Sequence, residues 1–444
     1  MNFEHMPLKK AFWRFIWPSV IAQWIFALYT MVDGMFVARG VSEVALSAVN
    51  IASPFVNFLF SVSILFAVGT STIVAICLGK GEKQMADEVY TQSLAVLAVV
   101  SLAIMLVVFL NLDAVSVFLG ATETTMEYVK NYILSILPFS WCFIIAYSFE
   151  ILVKTDGYPK FATVAVTTGA VMNCILDYLF VFVFRWGVAG AGAATGLSQC
   201  ALVFIYLSHF LSPKATIRFR KFRWDFGQIL RSVKIGMSSC LTEFSAGITV
   251  FLFNHTILEY LGNDGIISYT IIAYVNTIVV MSLAGIAQGA QPMVSFYYGR
   301  GEKKKYMTLL KYGIVTSVGL GIAAYAASAA GADLLVSLFI SRELTALREY
   351  SAGVFRIFAL SFLIMGVNIQ MGGFFTAVER PQPALAISLG RGVIIIAIAL
   401  KLCTMVLGGE GIWLSQIVSE ILCCVMTGFF IYRYRKQMRR GEII

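Results

Sequence analysis

Two acidic residues lie within long apolar stretches of the chain, together with an amide and a hydroxyl. Asp33 falls in YTMVDGMFVARG, Asp177 in VMNCILDYLF with Asn173 one helical turn before it, and Thr195 in GAGAATGLSQ. An acid near the middle of a bilayer span costs about 2.5–3.5 kcal/mol on insertion scales, so acids kept there usually serve ions or protons. Two carboxylates, an amide oxygen and a hydroxyl form a hard-oxygen set suited to Na⁺ or a proton.

A purely structural role is the alternative for these residues. A buried hydrogen-bond cluster would pin the helices that carry Asp33, Asp177 and Thr195. This alternative weighs most for Thr195, because Thr readily bonds to the backbone of its own helix. Pro18 lies fifteen residues before Asp33 in the same stretch and predicts a bend. A bendable helix that carries a titratable acid would make a conformational switch.

Other polar residues inside the apolar stretches are secondary candidates. Glu243, in SSCLTEFSAG, has no basic residue one helical turn away, which favours a coupling or cation-contact role. Glu150 has Lys154 one turn on, so an ion pair and a cavity acid are equal alternatives. Amides within the stretches fit the polar lining of a wet cavity, although hydrogen bonds between helices would also explain them. The lining set comprises Asn50, Asn57, Asn276, Gln288 and Asn368.

The elements that must position these residues are membrane-spanning helices. The chain is 59% hydrophobic and 13% charged, whereas soluble domains are about 45–50% apolar and about 25% charged. Spans of about 20 apolar residues indicate helices, since a β-barrel would show short alternating segments instead. Twelve stretches qualify: 12–38, 44–76, 90–112, 129–153, 159–184, 188–211, 228–256, 264–298, 308–331, 346–377, 383–407 and 411–433.

The charge distribution indicates topology. The net charge is +9, and most Lys and Arg residues fall at every second connection, with Arg380 and Arg391 counted among them. This bias places both termini in the cytoplasm and argues for anionic lipid contact instead of nucleic acid. The eight Cys residues show no metal-ligand spacing and are predicted to be small packing residues. No phosphate-binding Gly loop is present, which excludes a transport ATPase carried on this chain alone.

The two halves of the sequence repeat each other. GKGEK at 79–83 returns as GRGEK at 299–303, and Gly157-Tyr-Pro159 corresponds to Glu379-Arg-Pro381. Gly169 and Gly190 match Gly390 and Gly411 at a constant offset of 221. We therefore predict an N-lobe of six helices over 1–211, a cytoplasmic linker over 212–227 and a C-lobe of six helices over 228–444. An even number of spans makes these parallel repeats, which favour a transporter that rocks around a central cavity.

Several motifs together resemble the multidrug and toxic compound extrusion (MATE) family of the MOP superfamily. They are VDGMFVARGVSEVALSAVNIASPF, GIAQGAQPMVSFYYGRGEKKKY and SLGRGVIII, spread over the whole chain. The resemblance implies an all-α integral membrane protein of twelve helices in two pseudo-symmetric lobes that form a V. It also implies secondary active efflux of organic cations and amphipathic drugs in antiport with Na⁺ or H⁺.

The resemblance also assigns roles to residues. In the DinF-like branch an acid in helix one, an Asn-xxx-Asp pair in helix five and a Thr in helix six form the ion site. These roles fall on Asp33, Asn173, Asp177 and Thr195, and Pro18 matches the helix-one bend. Another branch couples through a Glu in helix seven and an Asp in helix ten. Glu243 is similar to that Glu, but helix ten has Asn368 in GVNIQMGGFF and no Asp.

The function predicted from the sequence is therefore drug efflux by alternating access, without enzyme activity or cofactor. Binding of Na⁺ or H⁺ would relieve the repulsion between Asp33 and Asp177, repack helix one at Pro18 and release the drug. The alternative is a lipid-linked oligosaccharide flippase of the same superfamily, although the spans carry acids and few interior bases. We expect a monomer, in contact with membrane lipid, in a prokaryotic inner membrane.

Overall fold

The computed structural model describes residues 4–442, with the side chain of Glu43 outside that description. Within this range the chain folds into long α-helices joined by short turns, and the twelve spanning segments are named α1 to α12. They are α1 Leu8–Gly40, α2 Glu43–Lys80, α3 Lys83–Leu110, α4 Met126–Thr155, α5 Pro159–Val183, α6 Gly187–Phe210, α7 226–261, α8 263–299, α9 Lys303–Phe339, α10 345–377, α11 381–407 and α12 Gly411–Arg439. A short helix, Leu112–Phe118, follows α3.

The span count agrees with the sequence once the breaks within the longest helices are recognised. In the described chain, nine helices are long and apolar enough to cross a membrane, and a bent pair, Thr345–Ala359 and Phe362–Ala377, makes a tenth. Phe226–Gly299 holds two spans that meet at Gly262, where φ is +65°. The run Pro381–Arg439 likewise holds two spans, with a break at Gly408. The prediction of twelve spans is confirmed.

Large apolar side chains cover the outer faces of the helices. On α3, Leu102, Leu106 and Phe109 are each more than half exposed, and many other apolar residues are exposed in the same way. A soluble protein rarely exposes contiguous apolar area on this scale. These faces are therefore suited to lipid, in agreement with the composition.

The backbone repeats itself at the turns that the sequence marks as equivalent. Gly81 and Gly301 both have positive φ, and in each case the following Glu donates its N–H to the carbonyl five residues earlier. This is the Schellman ending of a helix, in which a left-handed residue satisfies the last carbonyls. Gly157 and Glu379 form the same ending before α5 and α11. The pseudo-symmetry read from the sequence is present in the local backbone.

The chain divides into two compact units, residues 1–236 and 237–444. The boundary falls inside α7, so the first turns of α7 belong to the first unit. There Gly236 lies against the carbonyl of Leu65, and Gly69 lies against the carbonyl of Ser232, so a Cβ at either position would collide with backbone. Glycine at these two points allows α2 and the start of α7 to approach closely.

The connection between α6 and α7 is fixed to the first unit. Asp156, at the end of α4, is fully buried, and its carboxylate accepts hydrogen bonds from the backbone N–H groups of Thr216 and Ile217. Nε2 of His209 lies 2.8 Å from the same carboxylate. Further along, Asp87 accepts the N–H of Arg218 at 2.9 Å. The basic linker is thus held across the ends of several helices.

Two sequence-based interpretations are wrong in detail. Cys142 of α4 and Cys200 of α6 form a disulfide, so these two cysteines are not merely packing residues. The spacing of metal ligands is a local pattern in the sequence. It does not reveal two cysteines that lie on separate helices, 58 residues apart. Arg391 lies within α11, not in a cytoplasmic connection, and it pairs with a buried acid of α12. Hydrophobicity patterns do not separate an internal cation from one at a helix end.

Candidate functional site

The two acids predicted to form an ion site lie together in the first unit. Helix α1, which carries Asp33, packs along α5, which carries Asp177. The two carboxyl groups are close enough to share a hydrogen bond. Asp177 is 0% exposed and Asn173, one turn earlier, is 1% exposed. The i and i+4 spacing on α5 therefore directs both side chains toward the core and toward α1.

The oxygen atoms of this cluster receive almost no hydrogen bonds from the protein. Among the described residues, no group donates to either carboxylate oxygen of Asp177, to Oδ1 of Asp33 or to Oδ1 of Asn173. All four atoms are buried. An unsatisfied buried carboxylate is strongly disfavoured unless it is neutralised or binds a cation. The set is thus chemically suited to a proton or to a hard cation such as Na⁺.

Thr195 hydrogen-bonds to its own helix and to the amide of the predicted ion site. Its Oγ1 donates to the carbonyl of Ala191, one turn earlier in α6, at 3.0 Å. The same oxygen accepts from Nδ2 of Asn173 at 3.4 Å. Thr195 therefore holds the Asn173 amide with its nitrogen toward α6. That orientation leaves Oδ1 of Asn173 as the free acceptor.

Two tyrosines belong to the cluster although the sequence analysis did not single them out. The phenol of Tyr132 on α4 is buried and lies within electrostatic range of both Asp33 and Asp177. Tyr29 on α1 is also within range of both acids. Tyr29 is one helical turn before Asp33, a spacing that could have identified it. Tyr132 belongs to a different helix, and only the packing of α4 shows its position.

Pro18 sits inside α1 and is tied to α5. Its ring removes the backbone donor that would bond to the carbonyl one turn earlier. Its own carbonyl accepts a hydrogen bond from Oγ1 of Thr163 at 2.7 Å. Thr163 lies at the start of α5, fourteen residues before Asp177. Helices α1 and α5 are therefore linked at two levels, once at Pro18 and once at the acids.

Glu150 forms the ion pair with Lys154 that was one of the two alternatives considered for it. Nζ of Lys154 lies 2.6 Å from Oε1 of Glu150, one turn along α4. The Lys154 side chain is only 2% exposed, and Glu150 is half-buried. A paired carboxylate has less need of a mobile cation than an unpaired one. Glu150 therefore ranks below Asp33 and Asp177 as a candidate for ion coupling.

The second unit contains a different arrangement of acids. Glu243 on α7 is exposed, and among the described residues it makes no hydrogen bond or ion pair. Asn368 on α10 is fully buried, and its Nδ2 donates to Oε2 of Glu420 at 2.7 Å. Asn368 thus belongs to a buried network, not to an accessible lining. Glu420 is also an acid within an apolar stretch, but on sequence alone it ranked below Glu243, and its partner Arg391 lies on another helix.

The remaining amides of the predicted lining differ in exposure. Asn50 and Asn57 on α2 are exposed. Asn276 on α8 is partly buried, and no described group donates to its Oδ1. Gln288, also on α8, is half-buried. A role in lining a cavity remains a prediction for these four.

A further surface of α5 faces away from the acids. An open cavity of about 500 Å³ lies along this helix, lined mainly by apolar atoms. Its lining residues are Val164, Thr167, Thr168, Val171, Met172, Ile175 and Leu176. Adaptable apolar surfaces that include Met suit varied organic ligands. Helix α5 thus carries the acid cluster on one face and this cavity on another.

An all-helical chain of twelve spans, with buried and unsatisfied acids inside them, is by class a polytopic membrane transporter. The MatE family profile matches residues 18–179 and 235–401, which is most of the chain. The chain belongs to this family, the MATE transporters, and is a transporter and not an enzyme.

Individual relatives are distant but cover the whole chain. The multidrug export protein MepA of Staphylococcus aureus (strain bovine RF122 / ET3-1) is 23% identical over 440 residues, which cover 98% of this chain and 96% of MepA. MepA of Staphylococcus haemolyticus is 21% identical over 98% of this chain and 96% of its own length.

Solved structures show the same fold. An outward-facing multidrug resistance MATE family transporter of the MOP superfamily superimposes with a TM-score of 0.90 at 21% identity, covering 98% of this chain and 97% of that one. A MOP superfamily transporter from Pyrococcus furiosus gives a TM-score of 0.89 at 19% identity, covering 97% of each chain. The predicted all-α, twelve-helix, two-lobe fold is confirmed.

Proposed function

We propose that this protein exports small organic cations and amphipathic compounds in antiport with Na⁺ or H⁺. The observation that carries the proposal is the set of buried oxygens around Asp33 and Asp177 with no hydrogen-bond donors. Two ionised carboxylates within hydrogen-bonding reach of each other repel strongly in a medium of low dielectric constant. One cation, either a proton shared between them or a bound Na⁺, removes that repulsion. The same cation satisfies the orphaned oxygens.

Coupling to substrate passes through α5 in this proposal. Asp177 and Asn173 occupy its buried face, and the cavity along Val171 and Ile175 occupies its exposed face. Entry of the cation draws α1 and α5 together at the acids. Because Pro18 cannot bond to the preceding turn, α1 adjusts at that point. The resulting shift of α5 changes the space available in the cavity and releases the substrate.

Alternating access, the cellular location and the assembly are parts of the same proposal. The relatives named multidrug export proteins are bacterial and cover almost the entire chain, which supports drug efflux from a prokaryotic cell. The paired basic turns GKGEK and GRGEK support a cytoplasmic side for these turns and for both termini. One chain carries both repeats, so a monomer is sufficient for alternating access.

The test is efflux of a fluorescent organic cation from proteoliposomes that contain the full-length protein in known orientation. A Na⁺ gradient and then a pH gradient are imposed on wild type, Asp33→Asn and Asp177→Asn. We expect one gradient to drive efflux by the wild type, and efflux to fall to the undriven background in both variants. Asp113→Asn is the matched control, since Asp113 is exposed and only pairs with Lys130 at the surface.

Full gradient-driven efflux in Asp33→Asn and Asp177→Asn, with yield and thermal stability equal to wild type, would sink the ion-site proposal. Absence of driven transport in the folded wild type, for every cation tested, would move the assignment to another substrate class. A lipid-linked oligosaccharide is the first substrate to examine in that case.

A further inference from the structure

The second unit contains a buried carboxylate whose surroundings are the reverse of those of Asp177. Glu420 on α12 is 0% exposed, as Asp177 is. Its Oε1 accepts from Nε of Arg391 at 2.7 Å and from Nε2 of Gln416 at 3.3 Å. Its Oε2 accepts from Nδ2 of Asn368 at 2.7 Å. Both oxygens of Glu420 are therefore satisfied by the protein itself.

The partners of Glu420 are fixed in turn. Nδ2 of Asn368 also donates to the backbone carbonyl of Glu420 at 2.9 Å, and Oδ1 of Asn368 accepts from Thr427 at 3.3 Å. Arg391 lies in a π-helical turn of α11, Gly390–Ile394. The carbonyl of Gly392 in that turn accepts Oγ1 of Thr249 from α7 at 2.8 Å. One carboxylate thus joins α10, α11 and α12 within a single network.

The internal repeat shows that this network uses helices equivalent to those of the acid cluster, but different positions on them. At the offset of 221 residues, Thr195 corresponds to Gln416 and Gln199 corresponds to Glu420. The position equivalent to Asp177 is Ile398, which is apolar. The second unit therefore has no acid at the position equivalent to Asp177, and it carries an acid on α12 with a cation on α11.

The chemistry of arginine decides what this network does during transport. A guanidinium is not deprotonated in proteins, so Arg391 keeps its charge at every pH of interest. A cation that entered would have to displace Arg391, whose side chain is only 17% exposed, and leave it without its carboxylate partner, which is strongly unfavourable. Among the described residues no cationic side chain pairs with Asp33 or Asp177, so these two acids impose no such penalty.

We propose that Arg391 is a built-in cation of the second unit, which holds Glu420 permanently neutralised so that this carboxylate binds neither Na⁺ nor H⁺ during the cycle. Arg391 thus acts through Glu420: by occupying this carboxylate, it lowers the number of cations that the transporter can bind. The inference rests on the proposed antiport, because it concerns which buried acids take up the coupling cation.

The test measures the number of cations bound per molecule of purified full-length protein. Bound Na⁺ is counted with ²²Na⁺, and proton uptake by the protein is followed with a pH-sensitive dye in the solution. Arg391→Met removes the charge at similar length and leaves Glu420 unpaired. We expect this variant to bind about twice as much cation per transporter as wild type, because Glu420 then requires a counter-ion. Arg391→Lys, which keeps the charge, should restore the wild-type amount. A purely structural role of Arg391 would change stability without changing this number.

A charge-neutral double variant covers the case in which Arg391→Met does not fold. Arg391→Met with Glu420→Gln removes both charges, and we expect wild-type cation binding and wild-type gradient-driven efflux. Loss of cation binding or of coupling in this folded double variant would overturn the inference. Unchanged cation binding in folded Arg391→Met would overturn it as well.

Failure of the antiport proposal has a separate signature. Neither gradient would then drive efflux by the folded wild type, whatever amount of cation the Arg391 variants bind. If both proposals hold, Asp177→Asn loses its bound cation, whereas Asp177→Asn with Arg391→Met regains one at Glu420.

Discussion

Asp177 and Asp156 are both fully buried carboxylates in the first unit, yet their oxygens have opposite surroundings. The Asp156 carboxylate accepts two backbone N–H groups and lies beside His209, so its oxygens have partners within the protein. The oxygens of Asp177 receive no donor from the described residues. Hydrogen bonds to a buried carboxylate decide whether it serves structure or awaits a cation. Asp156 serves structure, and we infer the second role for Asp177.

Asn173→Ala tests the part that the amide oxygen takes in cation binding. Removing Oδ1 takes one unsatisfied acceptor from the cluster but leaves both carboxylates. We expect the apparent affinity for the coupling ion to fall on the order of tenfold, which corresponds to about 1.4 kcal/mol. The measurement is the ion-concentration dependence of driven efflux. Asn131→Ala, at an exposed position of α4, is the control and should match wild type; equal affinity in Asn173→Ala would show that the amide takes no part.

Helices α5 and α11 are equivalent in the repeat, and both contain a π-helical turn. In α5 this turn, Tyr178–Val183, follows Asp177 directly. In α11 the turn carries Arg391. A π-helical turn widens a helix locally and is common at functional sites. In the two proposals made above, the same helix of each repeat bears the charged group that decides whether a cation binds, Asp177 in α5 and Arg391 in α11.

The linker between α6 and α7 is attached through the carboxylates of Asp156 and Asp87. In Asp156→Asn an amide N–H₂ replaces one acceptor and faces backbone donors, which should destabilise the attachment by about 2 kcal/mol. We expect faster trypsin cleavage at the basic residues of 214–225. The rate is followed by limited proteolysis of the detergent-solubilised protein. Asp113→Asn should be cleaved at the wild-type rate, and an unchanged rate in Asp156→Asn would refute the attachment.

Close packing of α2 against the start of α7 depends on glycine. In Gly236→Ala the new Cβ would meet the carbonyl of Leu65, so backbone must move. Overpacking of this kind typically costs about 1–3 kcal/mol, and we expect the thermal midpoint in detergent to fall by several degrees. Gly319→Ala in α9 is the control, because no described atom lies within 4 Å of its Cβ position. That variant should be as stable as wild type or more so.

At the scale of the whole molecule, the two repeats have the same backbone conformation at equivalent turns. Three pairs of equivalent positions have positive φ: Gly81 with Gly301, Gly157 with Glu379 and Gly187 with Gly408. Glu379 adopts this conformation without being glycine, which places some strain on that turn. Equivalent turns at equivalent ends follow from an even number of spans per repeat, because both copies then run in the same direction through the membrane.

The proposed topology leads to a prediction for the complete chain. A green fluorescent protein at the C-terminus should fluoresce in bacterial cells, and alkaline phosphatase at the same place should be inactive. Alkaline phosphatase inserted in the connection that follows Leu112–Phe118 should be active, since that connection is on the opposite side. The reverse pattern would place the termini outside and would contradict the charge-based orientation.

The sequence by itself determined the number of spans, the repeat and the set of polar residues on α1, α5 and α6 that the fold brings together. Hydrophobicity, charge bias and the i, i+4 spacing of Asn173 and Asp177 are local signals, and local signals survive in a linear chain. Only the tertiary structure decided which groups meet across helices: Tyr132 with the acids, Asp156 with the linker, and Arg391 with Glu420. Such contacts join residues far apart in sequence, and the packing of helix faces that creates them leaves no periodic pattern to read.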